Sequence, residues 1–167
     1  CAGMADMTVS AGAGERELEG VMETERIVLV PLSENHMEDV GTDTWYAIVD
    51  KLNCTPVGMI GMVCRHPEWR NTGLWISISD RRSRGEGYGT EALGLMEQYI
   101  FERLAYQRIA VRIAECNQDA VHFFKKAGYK LEGVQELGYF CDDRYYDVIL
   151  LRLLRGEYMA GRAIRMC

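Results

Sequence analysis

The 167-residue chain has only three prolines and three histidines, and none of its six cysteines forms a CxxC pair. The cysteines, at positions 1, 54, 64, 116, 141 and 167, share no ligand-like rhythm with the histidines, which argues against a disulfide framework or a zinc site. Reduced thiols in an intracellular protein are the simpler account, and a cytoplasmic location is expected. No charged-then-apolar leader and no long apolar run stands out, so the sequence indicates neither secretion nor a membrane span. Basic residues are in deficit. The 19 Lys and Arg against 25 Asp and Glu leave a net charge of -6, unlike the basic face of a nucleic-acid binder.

What is present is an ordinary globular composition, 48% hydrophobic and 26% charged, at a length that suits one domain. Residues 1–21 are small, polar and glycine-bearing without a period and read as a flexible leader. Residues 22–158 form the single domain, and 159–167 a basic tail, with the chain after Arg155 expected to be loose. Arg26–Leu32 is β-branched and apolar, a first strand; Ser33 with Glu34–Val40 reads as a capped helix start. Trp45–Asp50 and Val57–Cys64 follow as strands, with Gly58 and Gly61 marking a bulge or a close backbone contact.

The stretch that organises the chain is Arg84-Gly85-Glu86-Gly87-Tyr88-Gly89-Thr90. It follows the alternating run Leu74–Ser79 and precedes a helical pattern from Thr90 to about Leu104, where Leu93, Met96, Ile100 and Leu104 recur on one face and Glu97, Gln98 and Glu102 lie away from it. A strand that ends in close-set glycines and turns into a helix gathers unpaired N–H groups at the positive end of a helix dipole. That is an anion site, and a phosphate fits it best. No Gly-Lys-Ser/Thr closes the loop, so it is not a Walker A sequence; the downstream acid of a dinucleotide fingerprint is missing too. Arg81, Arg82 and Arg84 cluster beside it, and Lys125-Lys126 end a later helix.

Beyond the turn come an alternating strand, Arg108–Glu115, then Cys116-Asn117 and a short helix closing at Gly128-Tyr129. Two long strands, Lys130–Phe140 and Arg144–Leu154, end the pattern as a hairpin joined by Cys141-Asp142-Asp143. With these residues in view, the chain resembles the GNAT superfamily of N-acetyltransferases. Arg84, Gly87 and Gly89 fill the family's pyrophosphate pattern, and Asn117 with Gly128-Tyr129 matches its second cofactor segment. The likeness runs from about Glu23 to Tyr158, and in flavour it is most similar to the RimJ/RimL-like branch that acetylates ribosomal-protein N-termini.

The resemblance implies an α/β (α+β) fold, a mixed central sheet of about seven strands flanked by helices. It also implies two helices after the first strand, shaping the acceptor site. Two helices of roughly 11 residues each do not fit between Ser33 and Trp45. Either the acceptor side is stripped down, or further residues belong between Val40 and Gly41. The second is favoured because a floorless site would expose the sheet's apolar face.

The resemblance further implies acetyl-CoA as cofactor, with an amine substrate and room for a homodimer. The N–H groups of Gly85, Glu86, Gly87, Tyr88, Gly89 and Thr90, with the charge of Arg84, would hold the pyrophosphate. The pantetheine arm would pair like an added strand with Ser77, Ile78 and Ser79, a backbone N–H there polarising the thioester carbonyl. Asn117 would fix the arm, although a helix cap accounts for it as well. Phe124, counted with the cofactor-binding residues, stands where many members carry a thiolate-protonating tyrosine, and Leu74 where the related branch often has a glutamate, so no catalytic acid or base is identified.

A site without a strong base should prefer a weakly basic amine. An α-amine, with a pKa of about 7.7–8.0, is roughly a tenth neutral at pH 7, whereas a lysine-type amine at about 10.4 is hardly neutral at all. The expectation is therefore acetylation of a protein α-amine. The alternatives are a small amine such as a polyamine or an amino-sugar drug, marked by an acidic acceptor cleft, or a non-catalytic acyl-CoA-binding domain. Tyr139, Tyr145 and Tyr146 are candidates for the acceptor slot, with cross-strand packing as the plainer account.

Overall fold

The computed structural model describes residues 22–32, 43–79 and 85–165. The expected leader, the helix start at Ser33–Val40 and the arginines 81, 82 and 84 lie outside the described residues.

Seven strands form one mixed sheet: β1 Ile27–Pro31, β2 Thr44–Asp50, β3 Thr55–His66, β4 Asn71–Ile78, β5 Arg108–Ala114, β6 Lys130–Cys141 and β7 Arg144–Leu154. Their order is β1-β2-β3-β4-β5-β7-β6. All pairings are antiparallel except β4 with β5, which run parallel and stay in register only from Asn71 opposite Arg108 to Gly73 opposite Ala110. Past Gly73 the two strands part, opening a gap in mid-sheet.

Alternation places Ile27, Leu29, Tyr46, Ile48, Ile60, Met62 and Leu74 on one buried face, covered by Ala92, Leu93 and Met96 of helix α1 (Tyr88–Gln98). The opposite face carries Val30, Met59, Trp45 and Trp75, with Trp75 still 46% exposed and its ring packed edge-on to Trp45. Gly61 stands between these two rings in register, and a Cβ there would lie 2.5 Å from Trp45, which is the close contact expected of this glycine.

Helix α2, Gln118–Lys126, starts at Asn117, whose side chain accepts from the Ala120 N–H at 3.2 Å. It ends in a Schellman arrangement, with Gly128 N–H to the Lys125 carbonyl and Tyr129 N–H to the Phe124 carbonyl, and the Phe124 and Tyr129 rings packed 5.1 Å apart. The β6–β7 hairpin turns on Asp142 and Asp143, both at positive φ, the conformation a tight two-residue connection demands.

Two expectations fail together. The chain after Arg155 is a helix, α3 (Arg155–Arg165), not a loose tail. It packs on the π-helical continuation of α1, Tyr99–Arg103: Arg155 Nε donates to the Phe101 carbonyl at 3.0 Å, Tyr158 packs on Phe101, and Arg162 pairs with Glu102. Glu97, expected to face solvent, is consequently buried, beside the equally buried Tyr129, whose phenol is pushed well above its usual pKa by burial first and by Glu97 second. One helical period shows one apolar stripe; it does not show that a second element covers the polar flank.

Candidate active site

The turn after β4 delivers Gly87 as N-cap of α1 at φ 86°, a left-handed conformation that a side chain strains. Gly89 is the second residue of the helix, and a Cβ added there would already be 3.4 Å from the Phe123 ring. Larger side chains would fill the space in front of the helix N-terminus. That space is a cleft of about 700 Å³ lined by Ser77, Ile78, Gly85, Gly87, Gly89, Thr90, Asn117 and Phe124, together with Ile76, Asp119, Ala120, Phe123 and Lys126. Eight of the expected cofactor residues are thus gathered on one cavity.

Three others are placed differently, and Arg84 lies outside the described residues. The Glu86 carbonyl is taken by Arg26 Nη2 at 2.7 Å. Tyr88 turns away from the cleft, giving its hydroxyl to Asp50 Oδ2 at 2.8 Å, under the Arg26 guanidinium. That bond, with the Leu52 N–H, holds the Asp50 pKa below the usual carboxylate range and raises that of Tyr88. Ser79 donates its N–H to the Val57 carbonyl at 2.9 Å, so this donor is spent within the sheet. By the alternation of an antiparallel ladder, the main-chain groups of Ser77 also face β3, whereas those of Ile76 and Ile78 lie on the edge toward β5. An added strand would therefore meet Ile76 and Ile78 rather than Ser77 and Ser79.

A second cavity, about 380 Å³, fills the gap between β4 and β5 and is lined by Leu74, Trp75, Ile76, Val111–Ala114, Asn117, Ala120, Phe124, Gly138, Tyr139 and Val148. Ile76, Asn117, Ala120 and Phe124 line both cavities, so the two join at the mouth of the splayed strands. Of the three hairpin tyrosines, Tyr139 alone lines this cavity, and its pKa is raised chiefly by its hydrogen bond with Cys141. Tyr146 packs on Tyr139 and Tyr145 on Phe140, as cross-strand neighbours do. The β6 strand bulges between Gln135 and Tyr139, and Asp147 Oδ1 accepts from the displaced Leu137 N–H at 2.9 Å.

Sequence reasoning missed Arg26, Glu91, Asp50 and Ile76, whereas Lys126, singled out with Lys125, does line the cleft. Arg26 sits 60 positions before the carbonyl it holds, and no spacing rule reaches that far. Ile76 could have been found, since its parity with Ile78 follows once the strand is known.

The cavity suits an extended ligand that carries a diphosphate: a glycine, Gly89, where a side chain would crowd it, a helix N-terminus facing it, and a strand edge alongside. Among the described residues no cluster of His, Cys, Asp or Glu could hold a metal ion. No helix among them is long and apolar enough to cross a membrane.

Comparison with known proteins agrees with this geometry. A prophage-derived N-acetyltransferase of Bacillus subtilis, YokL, is 28% identical over 133 residues, covering 77% of this chain and 75% of that protein. The spermidine N(1)-acetyltransferase of Escherichia coli is 26% identical, covering 78% and 70%. Mutant forms of the spermidine/spermine N-acetyltransferase SpeG from Vibrio cholerae share the fold at a TM-score of 0.69 and 22% identity, covering 75% of this chain and 74% of that one. These relatives do not support the ribosomal-protein branch expected from the sequence. The family model described as the acetyltransferase (GNAT) domain matches residues 18–130, and the chain belongs to that family of acetyl-CoA-dependent N-acetyltransferases.

Proposed function

We propose that the protein acetylates a primary amine of a small polyamine-like molecule, with acetyl-CoA lying along the two joined cavities. The observation that carries the transfer site is their junction at Ile76, Asn117, Ala120 and Phe124, where a strand edge, a capping amide and a buried ring converge. The polyamine class is supported by the likeness to spermidine acetyltransferases and by the net charge of -6, which suits a polycation.

Bound there, acetyl-CoA supplies the activated acetyl group. The N–H groups around Gly85, Gly87, Gly89 and Thr90 hold its diphosphate, and Lys126 adds positive charge at the rim. Asn117 caps α2 through Oδ1, which leaves its Nδ2 donors for the pantetheine arm. The Ile76 N–H, on the edge facing β5, polarises the thioester carbonyl. Phe124, only 4% exposed, keeps water from the junction and offers no proton. A leaving thiolate needs little help, because a thiol of pKa about 8.5 leaves readily near neutral pH.

A second reading, a protein α-amine acceptor, is favoured by one observation: none of the residues lining the far cavity is a carboxylate or histidine. The acids Glu34, Glu38 and Asp39 fall in the stretch outside the described residues. Thiol release measured with spermidine, a peptide bearing a free α-amine and an aminoglycoside separates the readings. Spermidine is expected to give the highest kcat/KM; a preference for the peptide transfers the assignment to the second reading. Tight acetyl-CoA binding with no thiol release for any acceptor would point to a non-catalytic binding domain.

A further inference from the structure

The glycine turn has an inner side, facing the cleft, and an outer side, facing the start of β1. On the outer side Arg26 Nη2 donates to the Glu86 carbonyl at 2.7 Å, and Nε to Glu91 Oε2 at 2.6 Å. Its guanidinium lies 4.6 Å from the centre of the Tyr88 ring. Arg26 is itself held: its carbonyl accepts from the Lys51 N–H at 2.8 Å, and Thr24 Oγ1 both accepts from its N–H and donates to Glu91 Oε1.

A trans peptide is planar, with its C=O and N–H pointing in opposite directions. Holding the Glu86 carbonyl toward β1 therefore turns the Gly87 N–H the other way, and Gly87 lines the cleft. Gly87, at φ 86° and without a Cβ, offers little resistance to rotation of that peptide. A rotated peptide would present a carbonyl oxygen, with its partial negative charge, to an anion.

We infer that Arg26 is a positioning residue for the cofactor: from outside the cleft it holds the Glu86–Gly87 peptide so that the N–H, not the carbonyl, faces the diphosphate. This rests on reading the cleft as the acetyl-CoA site. It also accounts for the placing of this guanidinium behind the turn, where its fork serves one carbonyl and one carboxylate at once.

The test measures Kd for three probes on wild type, Arg26→Ala and Arg26→Met, the last keeping a long unbranched side chain without the charge. Acetyl-CoA and ADP carry the diphosphate; S-acetylpantetheine lacks it. Acetyl-CoA and ADP should each bind roughly ten to a hundred times more weakly to the variants, the effect of losing a charge-assisted hydrogen bond, with S-acetylpantetheine unchanged. Folded variants with wild-type affinity for acetyl-CoA would overturn the inference, as would an equal loss for S-acetylpantetheine, the mark of a purely structural tie. Should Arg26→Ala fail to fold, Arg26→Met decides. A wild type that binds no acetyl-CoA would instead bring down the reading of the cleft.

Discussion

At the turn end of the cleft, almost every group is held by another: Arg26 by Glu91 and the Glu86 carbonyl, Glu91 by Thr24, and Tyr88 by Asp50. At the far end, between β4 and β5, the walls are Leu74, Trp75, Val111, Ile113 and Val148, and the polar side chains are few. There Arg112 Nη2 is turned to Gln135 Oε1 at 2.7 Å, and Tyr139 is paired with Cys141. The difference teaches how the labour is divided. On the proposed reading, recognition of the cofactor would rest on preorganised main chain, whereas the far end would supply shape more than proton transfer.

The comparison breaks most easily at Gly87. Gly87→Val should lower acetyl-CoA affinity by more than about a hundredfold, since a β-branched residue at φ 86° must rebuild the turn. Isothermal titration, with circular dichroism to confirm the fold, checks this; unchanged affinity would remove the turn from the site. Asn117 sharpens the boundary between the two ends. Asn117→Asp keeps the cap and loses the amide donors, so affinity should fall several-fold with little change in Tm. Asn117→Ala should show that fall plus about 1 kcal/mol of lost stability.

A smaller effect is expected at the far end. Tyr139→Phe should change kcat by less than about threefold, because a working general acid would be worth about a hundredfold or more. A drop of that larger size in steady-state assays would mean that the acceptor end does carry proton chemistry.

The smallest effect lies outside the cleft. Glu157, on α3, is bonded by Lys130 first and also by the Leu154 N–H and Arg152, which bring its pKa down to about 2. Its folded pKa is below its unfolded one, so its contribution is full above pH about 4.5 and is lost as pH falls toward 2. Acid titration of Tm for Glu157→Gln against wild type should converge over that window, the difference being modest because the pair is partly exposed.

Most of the strand and helix order was legible because each element repeats its own period: Ile109, Val111 and Ile113 alternate, and Leu93, Met96 and Ile100 recur at helical spacing, and all are buried. The turn was legible because glycine spacing states a backbone requirement. What was not legible depends on contacts far apart in sequence. Helix α3 is polar along much of its length, and its ties to Phe101 and Glu102 appear only once the sheet has brought them near. The same holds for Arg26, an unremarkable cation until β1 lies beside the turn.

The short parallel contact between β4 and β5, confined to Asn71–Gly73, makes the centre of the sheet its weakest weld. On one side lies a four-strand meander with α1, on the other three strands with α2 and α3. An extended ligand laid into that opening would stitch the halves along a line where, among the described residues, the ladder pairs the two strands only as far as Gly73. Loading the cleft should then slow amide exchange on the facing edges of both strands, so that the occupied protein unfolds more nearly as a single piece than the empty one.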